Sequence, residues 1–197
     1  MKSPTRLLAP FVPWPHLRRI AGFAVAGALV AGCYGILHDQ VTYTLSPEYF
    51  TRMKFGQFAW ADVGFPRRVL VSEIGFLATW WVGFAATWFF ARFAASRRGM
   101  AALPGAVAGM WFTLFGTALA AGALGWLLGP AYYLGASDWQ EALTALGVEN
   151  QRAFAQVGGI HLGGYLGALS GWLFSMFRLA ATPVTPGSGR HPQDCER

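Results

Sequence analysis

Along the chain, long apolar runs alternate with short polar breaks, and the runs set the architecture. Four of them, roughly Ile20–Leu37, Val69–Phe90, Pro104–Leu128 and Phe154–Ala180, approach or exceed the length needed to cross a hydrocarbon core, which takes roughly 20 mostly apolar residues in a helix. The spacing predicts an all-α membrane protein, a four-transmembrane-helix bundle. Between the first two runs the pattern changes. Val41, Tyr43 and Leu45 alternate with Thr42 and Thr44, the period of a half-buried strand. Ser46-Pro47-Glu48 then reads as a helix start, with serine as N-cap, proline at the first position and a carboxylate in the first turn. A helix from Pro47 to about Phe58 mixes aromatic residues with Arg52 and Lys54, as surface-lying membrane helices do. Loop one is therefore expected to be an ordered extracytoplasmic cap over the bundle.

Composition supports the membrane reading. Charged residues make up 12% of the chain and hydrophobic ones 54%, against about 25% charged in an ordinary soluble domain. The net charge of +6 is spread beside the apolar runs, which suits anionic headgroups and argues against a nucleic-acid partner. Arg18, Arg19, Arg92, Arg97 and Arg98 mark one side, whereas Asp138, Glu141 and Glu149 lie in the third loop. The positive-inside rule then places both termini in the cytoplasm, although Arg52, Lys54, Arg67 and Arg68 in loop one run against it. Residues 1–181 form a single membrane domain. Residues 182–197, rich in proline, glycine and polar groups, are expected to be a disordered cytoplasmic tail.

Two cysteines, Cys33 and Cys195, form no CxxC pair, which argues against a thiol-disulfide enzyme or a cysteine zinc site. Cys33 closes "VAGC", the form of a lipoprotein cleavage site. The basic, proline-containing stretch before it and the three runs after it favour a retained helix. Gly159, Gly163, Gly167 and Gly171 recur every fourth residue, as do Gly27, Ala31 and Gly35. Such faces allow close helix packing, within the bundle or in a homo-oligomer through the glycines of the fourth run.

Ionisable groups at membrane depth are costly and usually face a bundle interior. Glu73 lies a few residues inside the second run and His161 about two turns inside the fourth. Both runs travel from outside to inside, so at 1.5 Å per residue both groups fall in the outer half. His38 closes the first run on the same side, with Asp39 and Glu48 just beyond. His38, Glu48, Glu73 and His161 are thus candidate metal ligands, with Asp39, Gln40, Tyr165 and Gln156 as supporting partners. Imidazole and carboxylate together suit iron, manganese or zinc, and an open coordination position would act on a lipid-phase or periplasmic substrate. Haem between His38 and His161 is a variant. A proton- or ion-coupled transporter using Glu73 and His161, and a non-catalytic accessory subunit, are the competing readings. No HExxH, GxSG or GxxxxGK[ST] occurs, which sets aside zinc-protease, intramembrane serine-protease and P-loop patterns.

The run "YGILHDQVTYTLSPEYFTRMKFGQF" (Tyr34 to Phe58), with Glu73 and "IHLGGYLGALSG" (Ile160 to Gly171), resembles an uncharacterised bacterial family of four-span integral membrane proteins with an HDQ…SPEYF motif. The resemblance implies fold and location, and no activity. His38, Asp39, Gln40, Glu48, Glu73 and His161 all fall in its motif segments.

Overall fold

The computed structural model of the chain describes residues 14–182. The expected tail beyond Thr182 and the basic residues Lys2 and Arg6 lie outside them. Among the described residues every regular element is helical. Five helices exceed eight residues: α1 Trp14–Leu45, α2 Arg67–Arg98, α3 Leu103–Gly135, α4 Ser137–Ala145 and α5 Gln151–Ala181. Three of them, α1, α2 and α3, are long and apolar enough to cross a membrane. The fourth long helix, α5, has 31 residues, or about 46 Å, but glycines, serines and His161 make it less apolar.

Local chemistry sets the helix ends. Pro66 precedes α2, and Gly99, at φ 77°, follows it, a positive-φ backbone that glycine adopts readily because it has no Cβ. Asn150 caps α5 by accepting from the Ala153 N–H at 3.1 Å. The turn before it, closing α4, has Gly147 at φ 64°. There the Val148 N–H donates to the Leu143 carbonyl and the Gly147 N–H to that of Thr144, a Schellman closure.

Two expectations about loop one are corrected. Residues 41–45 form the end of α1 rather than a strand. Thr42 and Thr44 donate their hydroxyls to the carbonyls of His38 and Gln40, four residues back, so the helix absorbs both threonines. The buried face is Asp39, Thr42, Tyr43 and Ser46, and Leu37, Val41 and Leu45 point outward. A helical period carried by polar residues was concealed behind an apolar alternation. Ser46 is also not a capping side chain: its backbone is extended before Pro47, but its buried hydroxyl finds no partner. Beyond it lies a succession of short pieces, Pro47–Tyr49, a π turn Phe50–Lys54, Phe55–Gln57 and a 3-10 turn Ala59–Ala61.

The long helices associate as two close pairs, α1 with α2 and α3 with α5, with few contacts between pairs. Glycine makes the approach possible. A Cβ on Gly35 would collide with the Gly75 carbonyl, and one on Gly159 with the Gly125 carbonyl. The stripe Gly159, Gly163, Gly167, Gly171 is filled by α3 of the same chain, at Gly125, Ala121 and Thr117. A second copy would need another surface. Apolar clusters close the two ends of the assembly. Ile20, Phe90, Met110 and Leu179 pack at one, and Tyr43, Phe50, Leu143 and Phe154 at the other.

Gly159→Ala should therefore destabilise the protein by about 1–3 kcal/mol, the usual range for overpacking, because backbone rather than a flexible side chain opposes the new methyl. Gly164→Ala, on the same helix with nothing within 4 Å of the added Cβ, should be neutral or slightly stabilising. Thermal unfolding in detergent checks the pair, and equal effects would refute the contact.

Candidate functional site

Near the Leu143 end, α1, α5 and the loop-one segment bring three ionisable side chains together. Lys54 Nζ stands 2.8 Å from Asp39 Oδ2 and 3.1 Å from His161 Nε2, and Asp39 Oδ1 is 3.2 Å from that same Nε2. All three are buried. His38 joins them edge to face, its ring 4.8 Å from that of His161, while Tyr49 stacks on His161 at 4.8 Å.

Sequence reasoning placed Lys54 at the surface with Arg52. Arg52 is exposed, whereas Lys54 is 5% exposed, its ammonium 5.0 Å from the centre of the Phe50 ring. The π turn carries both ends of this pair inward; wide turns of this kind recur at functional sites. Burial pulls the Lys54 ammonium below its ordinary pKa, and the Asp39 carboxylate opposes the fall.

The hydrogen-bond pattern restricts where protons sit. His161 Nδ1 lies 2.9 Å from the Val157 carbonyl, which can only accept, so Nδ1 carries a hydrogen. Nε2 is then left to accept, and the Lys54 ammonium, 3.1 Å away, stands where it can donate to it as well as to Asp39.

Of the residues expected to form one site, His38, Asp39 and His161 converge. Tyr165 stands beside them, its ring 6.3 Å from that of His161. The others serve elsewhere. Glu48 accepts from the backbone N–H groups of Glu149 and Asn150 at 2.9 and 2.8 Å. These bonds hold its carboxyl below the usual range and fasten loop one to the start of α5, where a helix N-terminus favours an anion. Gln40 donates to the Arg68 carbonyl and to Ser72. Glu73 lies outside the cluster, its Oε2 buried without a partner. Gln156 does not line the cavity described next.

The cluster forms the polar end of a cavity of about 110 Å³ between the two helix pairs. Its remaining wall is apolar and aromatic, with Tyr34, Val82, Trp111, Phe115 and Ala118 prominent. The ligand atoms of His38, Asp39 and His161 lie within 4.8 Å of one another, a spacing a cation could draw in. Lys54 already supplies the positive charge there, bonded to two of those three residues, and a metal ion would have to displace it. Haem fits less well, because the edge-to-face contact of the two histidines leaves no gap for a macrocycle.

Comparisons with family models, with curated proteins and with solved structures gave no match for this chain. The site's chemistry must speak for itself.

Breaking the buried pair should expose its energetics. Lys54→Met and Asp39→Leu should each cost about 3–5 kcal/mol, because each removes one partner of a buried ion pair. The double variant should lose clearly less than the sum. Unfolding curves for the three variants check this, and strict additivity would refute the coupling.

Proposed function

We propose that this is a four-span membrane protein which binds an amphipathic, lipid-phase molecule between its helix pairs and exchanges a proton with its head group. The observation that carries this reading is the 3.1 Å approach of Lys54 Nζ to His161 Nε2 at the end of an apolar cavity. The length of α5 and its glycine-mediated packing along α3 support a fourth span. Loop one serves as the cap that seals the site, with Lys54 as its inward-pointing group. The apolar wall holds the body of the ligand. His38 and Tyr34 flank the head group, with the Tyr34 hydroxyl 3.4 Å from His38 Nδ1. A polar head entering this end exchanges hydrogen bonds with water for bonds to Lys54 and His161, and positioned acid–base groups of this kind contribute about 10²–10⁴-fold to proton transfer.

The metal reading keeps one favourable observation, the spacing of His38, Asp39 and His161. Metal analysis of Lys54→Met beside the wild type separates the two readings. Stoichiometric iron, manganese or zinc in the wild type would favour the metal.

Orientation follows the arginine distribution, with both termini cytoplasmic in a bacterial inner membrane. Single cysteines at Thr51 and Ser137, in a background lacking Cys33 and Cys195, should react with an impermeant maleimide from the periplasmic side. Labelling from the cytoplasmic side alone would invert the assignment.

The ligand itself is tested by extraction. Wild-type protein, washed in detergent, should retain an apolar molecule with a hydrogen-bonding head, visible by mass spectrometry of the organic extract. Ala118→Trp, which fills the cavity, should reduce that species about tenfold or more, as loss of roughly 1.4 kcal/mol of binding would. Identical extracts from both proteins would refute the cavity's role.

A further inference from the structure

At the opposite end of the helices from Lys54 lies a second cavity, of about 150 Å³, between the end of α2, the start of α3 and the end of α5. Arg98 and Arg178 stand at its rim, and Phe90, Met110 and Leu179 form its apolar wall. Neither arginine has an acidic partner among the described residues, where the only ion pairs are those of Asp39 with Lys54 and His161. Their neighbour Arg97 is differently employed, donating to the carbonyls of Ala180 and Thr182 at 2.6 and 2.8 Å and so tying α2 to the end of α5. Arg98 donates once, to the Thr182 hydroxyl at 3.1 Å. The Arg178 guanidinium lies 5.8 Å from the Phe174 ring. The cavity's own hydroxyls are committed as donors within their helices, Ser175 to Gly171 and Thr113 to Gly109. The two guanidiniums, with five N–H groups each, are therefore the available donors.

We infer that this cavity binds the phosphate of an anionic phospholipid, with Arg98 and Arg178 on the phosphate oxygens and the Phe90–Met110–Leu179 wall against the glycerol and upper acyl chain. Basic pockets between membrane helices bind such head groups, and guanidinium matches phosphate with paired hydrogen bonds. The apolar wall favours a lipid over a free phosphate ion, which would gain nothing from it. The site is independent of the ligand and proton chemistry proposed for the other end.

Native mass spectrometry of the full chain in detergent tests the inference, with phosphatidylglycerol and phosphatidylcholine of identical acyl chains as probes. The wild type should carry a phosphatidylglycerol adduct in preference to phosphatidylcholine. Arg98→Gln/Arg178→Gln should reduce that adduct roughly tenfold or more, on the scale of two basic side chains near a lipid surface. Arg92→Gln removes the same charge from a side chain that lies over Trp88, outside the cavity, and should leave the adduct in place. Arg178→Lys, which keeps the charge, should retain most of it and guards against misfolding as the cause of loss. Equal binding of the two lipids, or an adduct indifferent to the double substitution, overturns the inference. So does millimolar inorganic phosphate displacing the lipid through the same arginines, which would make this a phosphate-ion site.

Discussion

Three charged or chargeable groups buried together are tolerable only if each compensates another, and the Lys54 end of this molecule is organised by that demand. Desolvating one ion of a pair costs several kcal/mol, and mutual attraction returns it only with good geometry. Asp39 lies on α1, His161 on α5 and Lys54 on the segment joining α1 to α2. Bonds of 2.8–3.2 Å among them hold elements from both helix pairs in register. The π turn, the inward Phe50 and the stacked Tyr49 all serve to bring the Lys54 ammonium to this point.

The rest of the fold allows for a space below that cluster. Within each pair, glycine lets backbones touch at Gly35 with Gly75 and at Gly125 with Gly159. Between pairs, apolar clusters pack at both ends. The middle stays open because contact between pairs there falls to larger, ring-bearing side chains such as Tyr34, Trp111 and Phe115, which line rather than fill it. Tight pairs loosely joined make a scaffold for an internal site, since rigidity and void come from different contacts. The far end repeats the theme with cations at its rim: Arg97 ties α2 to the end of α5, and Arg98 and Arg178 line the second cavity.

Much of this was legible in the residues. Hydrophobic run lengths located the long helices, since helix length and apolar content are local properties of the chain. The convergence of His38, Asp39 and His161 could be argued from direction of travel alone, because each helix end must lie on one side or the other. Glu73 and Glu48 were drawn into the same site by the same logic, and the structure places them elsewhere. Depth follows from counting residues, but azimuth around the bundle does not. Glu48 shows the point: its carboxylate meets the Glu149 and Asn150 N–H groups of a distant loop, a contact no local pattern announces.

What the sequence by itself determined is the set of elements: long helices set by apolar runs and able to pack through spaced glycines. These depend on backbone preferences and on three- and four-residue periods. Only the tertiary structure decided that α1 continues through Thr42 and Thr44, since a polar buried face is recognisable only when its partners are in place. It alone placed Lys54 inside. A lysine in a short aromatic segment suits a solvated surface as well as a buried pair, and the choice rests on Asp39 and His161, 15 and 107 residues away in the chain.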